Sequence, residues 1–242
     1  MSAVYDNAPG FYGKVTTHGD FVTRRLPRSF IDSWDEWLQL GLQHSKQRLG
    51  NTWLNTYLTA PLWRFAVDSG IIDRHAWSGV VMPSVDRVGR HFPLTIACPN
   101  FGHARTLEWL RDGNPWYENL EDLAMSSLGE GFQLDRLEAT LQATPSLSQL
   151  LTTSKPPCAG NLISGPTCLA MSSFGQLPAI IPGLTDELAQ MALHGHSFWW
   201  TEGSQSMKPC LLICRGMPSP AQCCAMMDGN WAGSGWNYRQ LG

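Results

Sequence analysis

The sequence contains few charged residues and no excess of either sign. Only 15% of its 242 residues are charged, and 17 basic residues stand against 20 acidic ones, for a formal net charge of −3. Because 43% of the residues are hydrophobic, disorder driven by charge is excluded. Proteins that bind nucleic acid through its phosphates normally carry a basic excess or stripe, which this sequence lacks. We therefore expect no nucleic-acid partner.

Long apolar segments and regular cysteine spacing are also missing. No run approaches the ~18 consecutive apolar residues that a membrane-spanning helix needs. Residues 1–9 have neither the basic start nor the apolar stretch of a signal peptide. The seven cysteines are odd in number and do not follow the spacing of a disulfide framework. These absences predict a soluble cytoplasmic protein with free thiols and no membrane insertion.

The motifs of the common catalytic chemistries do not occur. There is no glycine-rich phosphate loop ending in Lys-Ser/Thr, no Gly-x-Gly-x-x-Gly turn and no Gly-x-Ser-x-Gly elbow. His194 and His196 form one candidate metal-binding pair, and Cys210 and Cys214 form another. Neither pair has the spacing of a zinc knuckle, and four residues along a strand span ~13 Å, too far to share one ion. We therefore expect no metal, no cofactor and no catalytic residue.

Ionisable residues in two predicted turns leave general acid–base catalysis open as an alternative function. These residues are His18, Asp20, Asp86 and His91. They lie in charge-rich segments together with four arginines, Arg24, Arg25, Arg87 and Arg90. Such loop charges could orient a substrate, fix two loops to each other by ion pairs, or contact a partner. The sequence favours the structural and partner-binding roles over catalysis.

Hydrophobic periodicity predicts an alternation of strands and helices. The aromatic and β-branched run at residues 11–15 predicts a first strand. From Phe30, apolar residues recur with the spacing of one helical face until Gly50. A second helix is predicted at about residues 56–67. Four later helices are predicted at residues 114–129, 134–141, 185–193 and 219–228, the last with a capping box at Ser219.

Two pairs of β-rich runs predict antiparallel hairpins. The first joins residues 77–82 to 92–98, and the second joins residues 198–202 to 210–214. Hairpins favour antiparallel pairing, and this number of helices must cover the sheet on at least one face. We therefore expect one α+β domain over residues 1–242, with a mainly antiparallel central sheet covered by helices. Residues 144–182, rich in Ser, Thr, Gly and Pro, are the plausible internal seam, meaning a boundary between two parts of this domain.

Tryptophan is more abundant than core packing requires. There are eleven tryptophans, and indole rings serve at protein interfaces as well as in cores. Trp199 and Trp200 are consecutive on a predicted strand, so they face opposite sides of the sheet. At most one of them is expected in the core if the second face of the sheet is open.

Several long strings in a fixed order resemble the TagF family of type VI secretion-associated proteins. They are residues 9–14 (PGFYGK), 18–22 (HGDFV), 34–38 (WDEWL), 79–90 (GVVMPSVDRVGR) and 197–203 (SFWWTEG). The resemblance extends over most of the chain and is loose at residues 104–195. It implies a non-enzymatic cytoplasmic accessory factor of the type VI secretion system of Gram-negative bacteria. Such factors are understood as post-translational repressors that act through the forkhead-associated scaffold protein of that system.

Some relatives in that family carry a fused PP2C-type phosphatase domain. This sequence has no room for that domain and no aspartate-rich metal pattern of its kind, so phosphatase activity is not expected. Two other functions stay open: a structural adaptor built into the secretion apparatus, and a hydrolase that uses His18, Asp20 and His91. Neither a cofactor nor a small-molecule substrate is expected.

The candidate partner-binding surface combines the turn after the first strand, the loop of the first hairpin and the Trp199–Trp200 strand. Arginine and tryptophan are enriched in binding hot spots, which is why these segments are chosen. The predicted contact residues are Asp20, Arg24, Arg25, Arg87, Arg90, Trp199, Trp200 and Glu202.

Overall fold

The computed structural model describes residues 7–100, 106–151, 171–173, 175 and 177–240. Most of the predicted seam at residues 144–182 therefore lies outside the described residues. The strands are β1 (Gly10–Gly13), β2 (Val22–Arg24), β3 (Trp63–Val67), β4 (Ala76–Met82), β5 (Leu94–Asn100), β6 (His196–Thr201) and β7 (Cys210–Arg215). The helices are α1 (Arg28–Leu49), α2 (Trp53–Leu58), α3 (Thr106–Asp112), α4 (Asn114–Ser126), α5 (Leu134–Ala143), α6 (Leu147–Leu151), α7 (Leu177–Ala192) and α8 (Pro220–Asp228).

The seven strands of the described residues belong to one sheet, in the order β2-β1-β5-β4-β3-β6-β7. Every neighbouring pair is antiparallel. Both predicted hairpins are present, β4 with β5 and β6 with β7. The expected α+β architecture with an antiparallel central sheet is confirmed.

Helices cover the sheet on both faces. On one face, Phe30, Trp34 and Leu38 of α1 pack with Met226 of α8 against alternate residues of the strands. On the other face, apolar residues of α3, α4, α5 and α6 pack against the intervening strand residues. Consequently β3, β4 and β5 are buried at every position, because a strand between two helical layers has no solvent side.

The predicted second helix at residues 56–67 is wrong beyond Leu58. Helix α2 ends at Leu58, and residues 63–67 form strand β3 at the centre of the sheet. Pro61 lacks the backbone N–H that a continuing helix requires. The apolar run of β3 shows no two-residue alternation because both of its faces are buried, so its pattern does not distinguish a strand from a buried helix.

Other elements differ from the prediction in extent. Strand β2 and the short helices α3 and α6 were not predicted, and α7 begins at Leu177, before the predicted start at Thr185. The capping box of α8 is confirmed: the Ser219 hydroxyl accepts from the Gln222 backbone N–H, and the Gln222 side chain accepts from the Ser219 backbone N–H. In the part of the chain that the structure describes, no helix combines the length and apolar character needed to cross a membrane.

Candidate partner-binding surface

Two connections meet at one end of the sheet and carry several of the predicted contact residues. The turn after β1 (residues 14–21) and the β4–β5 connection (residues 83–93) lie at the same end because β1 pairs antiparallel with β5. Backbone hydrogen bonds join them: the Arg87 N–H donates to the His18 carbonyl at 2.9 Å. The Ser84 hydroxyl donates to the Lys14 carbonyl at 2.7 Å. We call these two connections the loop cluster.

Asp86 is the buried centre of the loop cluster. Its carboxylate accepts from Lys14 Nζ at 2.8 Å and from Arg90 Nε at 2.7 Å, and its side chain has no solvent exposure. The backbone N–H groups of Val88 and Arg90 donate to its second oxygen. Burial alone would raise the pKa of this carboxyl. The hydrogen bonds from Lys14 and Arg90 outweigh it and hold the pKa well below its usual range.

The loop cluster is therefore rigid at its base and exposed at its tip. Arg90 also donates to the carbonyl of Gly19, so its guanidinium ties the two connections together. The Arg87 side chain, in contrast, is exposed and forms no hydrogen bond or ion pair with any described residue. Val88 beside it is 65% exposed. A fixed backbone thus presents an unpaired guanidinium next to an apolar side chain.

Aromatic side chains pack against one another within and beside the loop cluster. The ring of Phe21, 42% exposed, stacks on Tyr12 with centroids 5.6 Å apart and meets Phe92 edge-on at 4.9 Å. The ammonium of Lys14 lies 5.0 Å from the Phe21 centroid, within the range of a cation–π contact. Phe21 and Val88 were not among the predicted contact residues. An apolar residue among charged residues in a loop is the sequence signal that would have identified Val88.

The residues considered for acid–base chemistry do not share a reactive arrangement. The carboxylate of Asp86 is occupied by its cationic and backbone donors. Asp20 is exposed and accepts from its neighbouring backbone N–H, and the imidazole of His91 lies edge-on to Trp53 and Tyr57. Among the described residues, no group of three or more His, Cys, Asp or Glu could hold a metal ion.

Arg24 and Arg25 are tied to a helix. Arg24 Nε donates to a Glu138 carboxylate oxygen on α5 at 2.9 Å. Arg25 forms an ion pair with the other oxygen at 3.3 Å and donates to the Pro9 carbonyl at 3.0 Å. These contacts join the segment around β2 to α5. Because of these contacts, only some of the N–H donors of each arginine are left to bind a partner protein.

Trp199 is not at the surface, which corrects its assignment as a contact residue. Its side chain is completely buried, with its ring centroid 5.4 Å from that of Phe65 and 5.9 Å from that of Trp34. The reason is that α1 covers the face of β6 that Trp199 occupies. The assignment depended on one open sheet face, and neither face of β6 is open.

Trp200 and Glu202 lie at a second location. Trp200 is half-buried on the opposite face, with its ring edge-on to Tyr117 at 4.7 Å. The carboxylate of Glu202 is 80% exposed and lies 3.5 Å from the buried guanidinium of Arg64. Three strands, β5, β4 and β3, separate β1 from β6, so the turn after β1 lies about 19 Å along the sheet from Glu202. The predicted residues thus form two surfaces rather than one.

An apolar cavity of about 80 Å³ opens near the base of the loop cluster. It lies between α1, α8 and the ends of the strands, and Pro83 and Pro93 of the β4–β5 connection form part of its wall. Cys223 also lines it, and burial raises the pKa of this thiol well above its usual range. The thiol is therefore protonated and unreactive at neutral pH.

The fold and this surface define a class: an α+β protein with one antiparallel sheet between two helical layers and a braced, arginine-bearing loop at the sheet end. A family model described as the TagF N-terminal domain, type VI secretion system-associated, matches residues 10–144. The chain therefore belongs to the TagF family, which confirms the resemblance seen in the sequence. Both connections of the loop cluster lie within the matched residues, whereas Trp200 and Glu202 lie outside them.

A solved structure is similar to this chain over nearly its whole length. The crystal structure of PA0076 from Pseudomonas aeruginosa PAO1 is 35% identical in sequence, with a TM-score of 0.77. The similarity covers 97% of this chain and 99% of that chain. No curated protein matches the chain. The protein is thus a type VI secretion system-associated protein with the fold of PA0076.

Proposed function

We propose that this protein is a cytoplasmic, post-translational repressor of a type VI secretion system in a Gram-negative bacterium. It acts without catalysis, by binding the forkhead-associated scaffold protein of that system. The association with type VI secretion comes from the family. The mode of action is supported by the loop cluster, in which Asp86, Lys14 and Arg90 brace the fold, while the guanidinium of Arg87 has no partner among the described residues.

The proposal depends on an anchored loop that bears Arg87, whose side chain has no hydrogen bond or ion pair with any described residue. Because Asp86, Lys14 and Arg90 fix the backbone, little conformational entropy is lost when a partner binds. Arg87 can then form bidentate hydrogen bonds with a carboxylate of the partner, and Val88 supplies adjacent apolar area. Arg24 and Arg25 extend the positive surface towards α5.

Arg87→Ala should weaken capture of the scaffold protein in a pull-down by about tenfold or more, as expected for an arginine at a hot spot. Its thermal unfolding midpoint should equal that of the wild type, since Arg87 has no side-chain partner among the described residues. Arg136→Ala is the matched control, because Arg136 is an exposed arginine on α5 without a side-chain hydrogen bond in the described part of the chain. Equal capture by both variants would contradict the assigned surface.

Arg90→Ala should behave differently from Arg87→Ala. It removes a donor to the buried carboxylate of Asp86 and the link to Gly19, so both capture and thermal stability should fall.

Deletion of the gene separates repression from a structural role. Loss of a repressor should raise secretion by the type VI system, measured as the amount of a secreted component in the culture medium. Loss of a structural adaptor should abolish secretion instead. A deletion strain complemented with the Arg87→Ala variant should secrete like the uncomplemented deletion strain.

A further inference from the structure

Strand β7 is an edge of the sheet without the features that usually protect an edge. Among the described residues it pairs only with β6, so its other side presents unpaired backbone groups. It has no internal proline, and its only charged residue is Arg215 at its end. Leu211 and Ile213, on the same face, are 50% and 48% exposed. Edges of this kind readily pair with another strand.

The opposite edge of the sheet is protected. Strand β2 has three residues, Val22–Arg24, and its end is occupied by the ion pair between Arg24 and Glu138. Short length and charged side chains are the usual means of preventing strand addition. The two edges therefore differ in how readily they could accept a further strand.

We propose that β7 pairs antiparallel with β7 of a second copy of this chain, about a two-fold axis at Leu212, to form one continuous sheet. In this register each Leu211 lies opposite Ile213 of the other copy, so the two exposed apolar residues cover each other twice. An axis at Leu211 would place Ile213 opposite Pro209. An axis at Ile213 would place Leu211 opposite Arg215. The axis at Leu212 is therefore the one at which the strand is self-complementary.

Charges at the strand ends fit the same register. Arg215 of one copy lies opposite Pro209 of the other. Thr201, the last residue of β6, pairs with Cys210, which brings Glu202 next to Pro209. Alternation places Glu202 and Arg215 on the same face, and two strand spacings separate them by about 10 Å between Cα atoms. Long side chains bridge that distance. Glu202 is 80% exposed, and Arg215 is exposed with no ion pair to any described residue.

The side chains on the other face of the proposed interface are also compatible with an axis at Leu212. It places Cys210 opposite Cys214 of the second copy and the two Leu212 residues at the axis. All are small or apolar, and no charge is buried. A strand from a different protein would have to reproduce this pattern of apolar and charged positions, whereas a second copy supplies it by symmetry. This inference does not depend on the proposed repressor role.

Sedimentation equilibrium of the full chain tests the proposal directly. Over roughly 1–200 µM, the mass should rise from 26.8 kDa towards twice that value, with a micromolar dissociation constant. The double variant Leu211→Lys, Ile213→Lys should raise the dissociation constant at least tenfold. Leu58→Lys is the matched control, because Leu58 is 54% exposed and belongs to α2 and not to the edge strand.

A charge exchange tests the register. Arg215→Glu alone should weaken the dimer by bringing two carboxylates together, and adding Glu202→Arg should restore it. Both residues are exposed, and the buried Arg64 beside Glu202 keeps its ion pair with Glu121 at 2.6 Å. These variants therefore remain informative if the lysine variants fail to fold. A chain that is monomeric at every concentration would overturn the proposal. So would a dimer unaffected by the Leu211 and Ile213 changes, or a dimer that the second exchange does not rescue.

Discussion

At the scale of single residues, the two arginines of the β4–β5 connection differ in what their guanidinium groups contact. Arg90 donates to the buried Asp86 and to the Gly19 carbonyl. Arg87, three positions earlier, donates its backbone N–H to the His18 carbonyl, and its guanidinium has no hydrogen bond or ion pair with any described residue. One arginine therefore stabilises the loop, and the other is available for binding.

Asp86 gives a residue-scale prediction about pH. Its native pKa is held below the ordinary value near 3.8, so the unfolded chain takes up its proton first as the pH falls. The stability that Asp86 contributes is complete above about pH 5 and declines below about pH 4. We expect Asp86→Asn to unfold at a Tm about 5 °C or more below wild type at pH 7.

The difference between the two proteins should shrink as the pH falls below 4, measured by thermal melts followed by circular dichroism. At acid pH the wild type and Asp86→Asn should approach the same Tm. A constant difference between pH 7 and pH 3 would contradict the assignment of Asp86 as an ionised, hydrogen-bonded centre.

At the scale of elements, the central strands are placed by close contacts that leave no room for larger residues. Gly79 lies in the middle of β4, between β3 and β5. A Cβ at this position would collide with the Ile96 carbonyl and lie 2.8 Å from Cζ of Phe65. The glycine therefore allows the aromatic side chain of β3 to cross over the neighbouring strand.

Gly79→Ala should destabilise the protein by about 3 kcal/mol or more, because the backbone of β5 must move. Urea unfolding measures the loss. Gly131→Ala is the matched control: a Cβ there meets nothing within 4 Å. It should leave the midpoint unchanged. A similar midpoint for both variants would mean that the β4–β5 packing is looser than the structure shows.

At the scale of the whole molecule, the first and last parts of the described chain share one core. Trp37 of α1 donates to the Pro218 carbonyl at 2.8 Å, just before α8. Trp63 of β3 donates to the Met226 carbonyl at 2.9 Å. The sheet itself runs without interruption from β2 to β7. Separate unfolding of the amino-terminal and carboxy-terminal parts would expose this shared core.

Calorimetry should therefore show one cooperative transition. For 242 residues at ~0.7 kcal/mol per residue, the unfolding enthalpy near 60 °C should be about 170 kcal/mol. The calorimetric and van't Hoff enthalpies of the isolated monomer should agree. Two resolved transitions would contradict the prediction of a single domain over residues 1–242.

Much of the fold follows from local sequence patterns. The face of α1, both hairpins and the capping box of α8 depend on residues near one another in the chain. The arginine-bearing loop and the family were also evident from contiguous strings, which the family model confirms over residues 10–144. Each of these signals is local, so the sequence alone determined it.

The remaining features depended on contacts between distant segments. Strand β3 was mistaken for a helix because burial on both faces removes its alternation, and that burial requires α1 and α4 to be in place. Trp199 is buried because α1 covers β6. The difference between Arg87 and Arg90 arises only when the turn after β1 reaches the β4–β5 connection. Only the tertiary structure decides these features, because side-chain exposure is set by what packs against a residue and not by its neighbours in sequence.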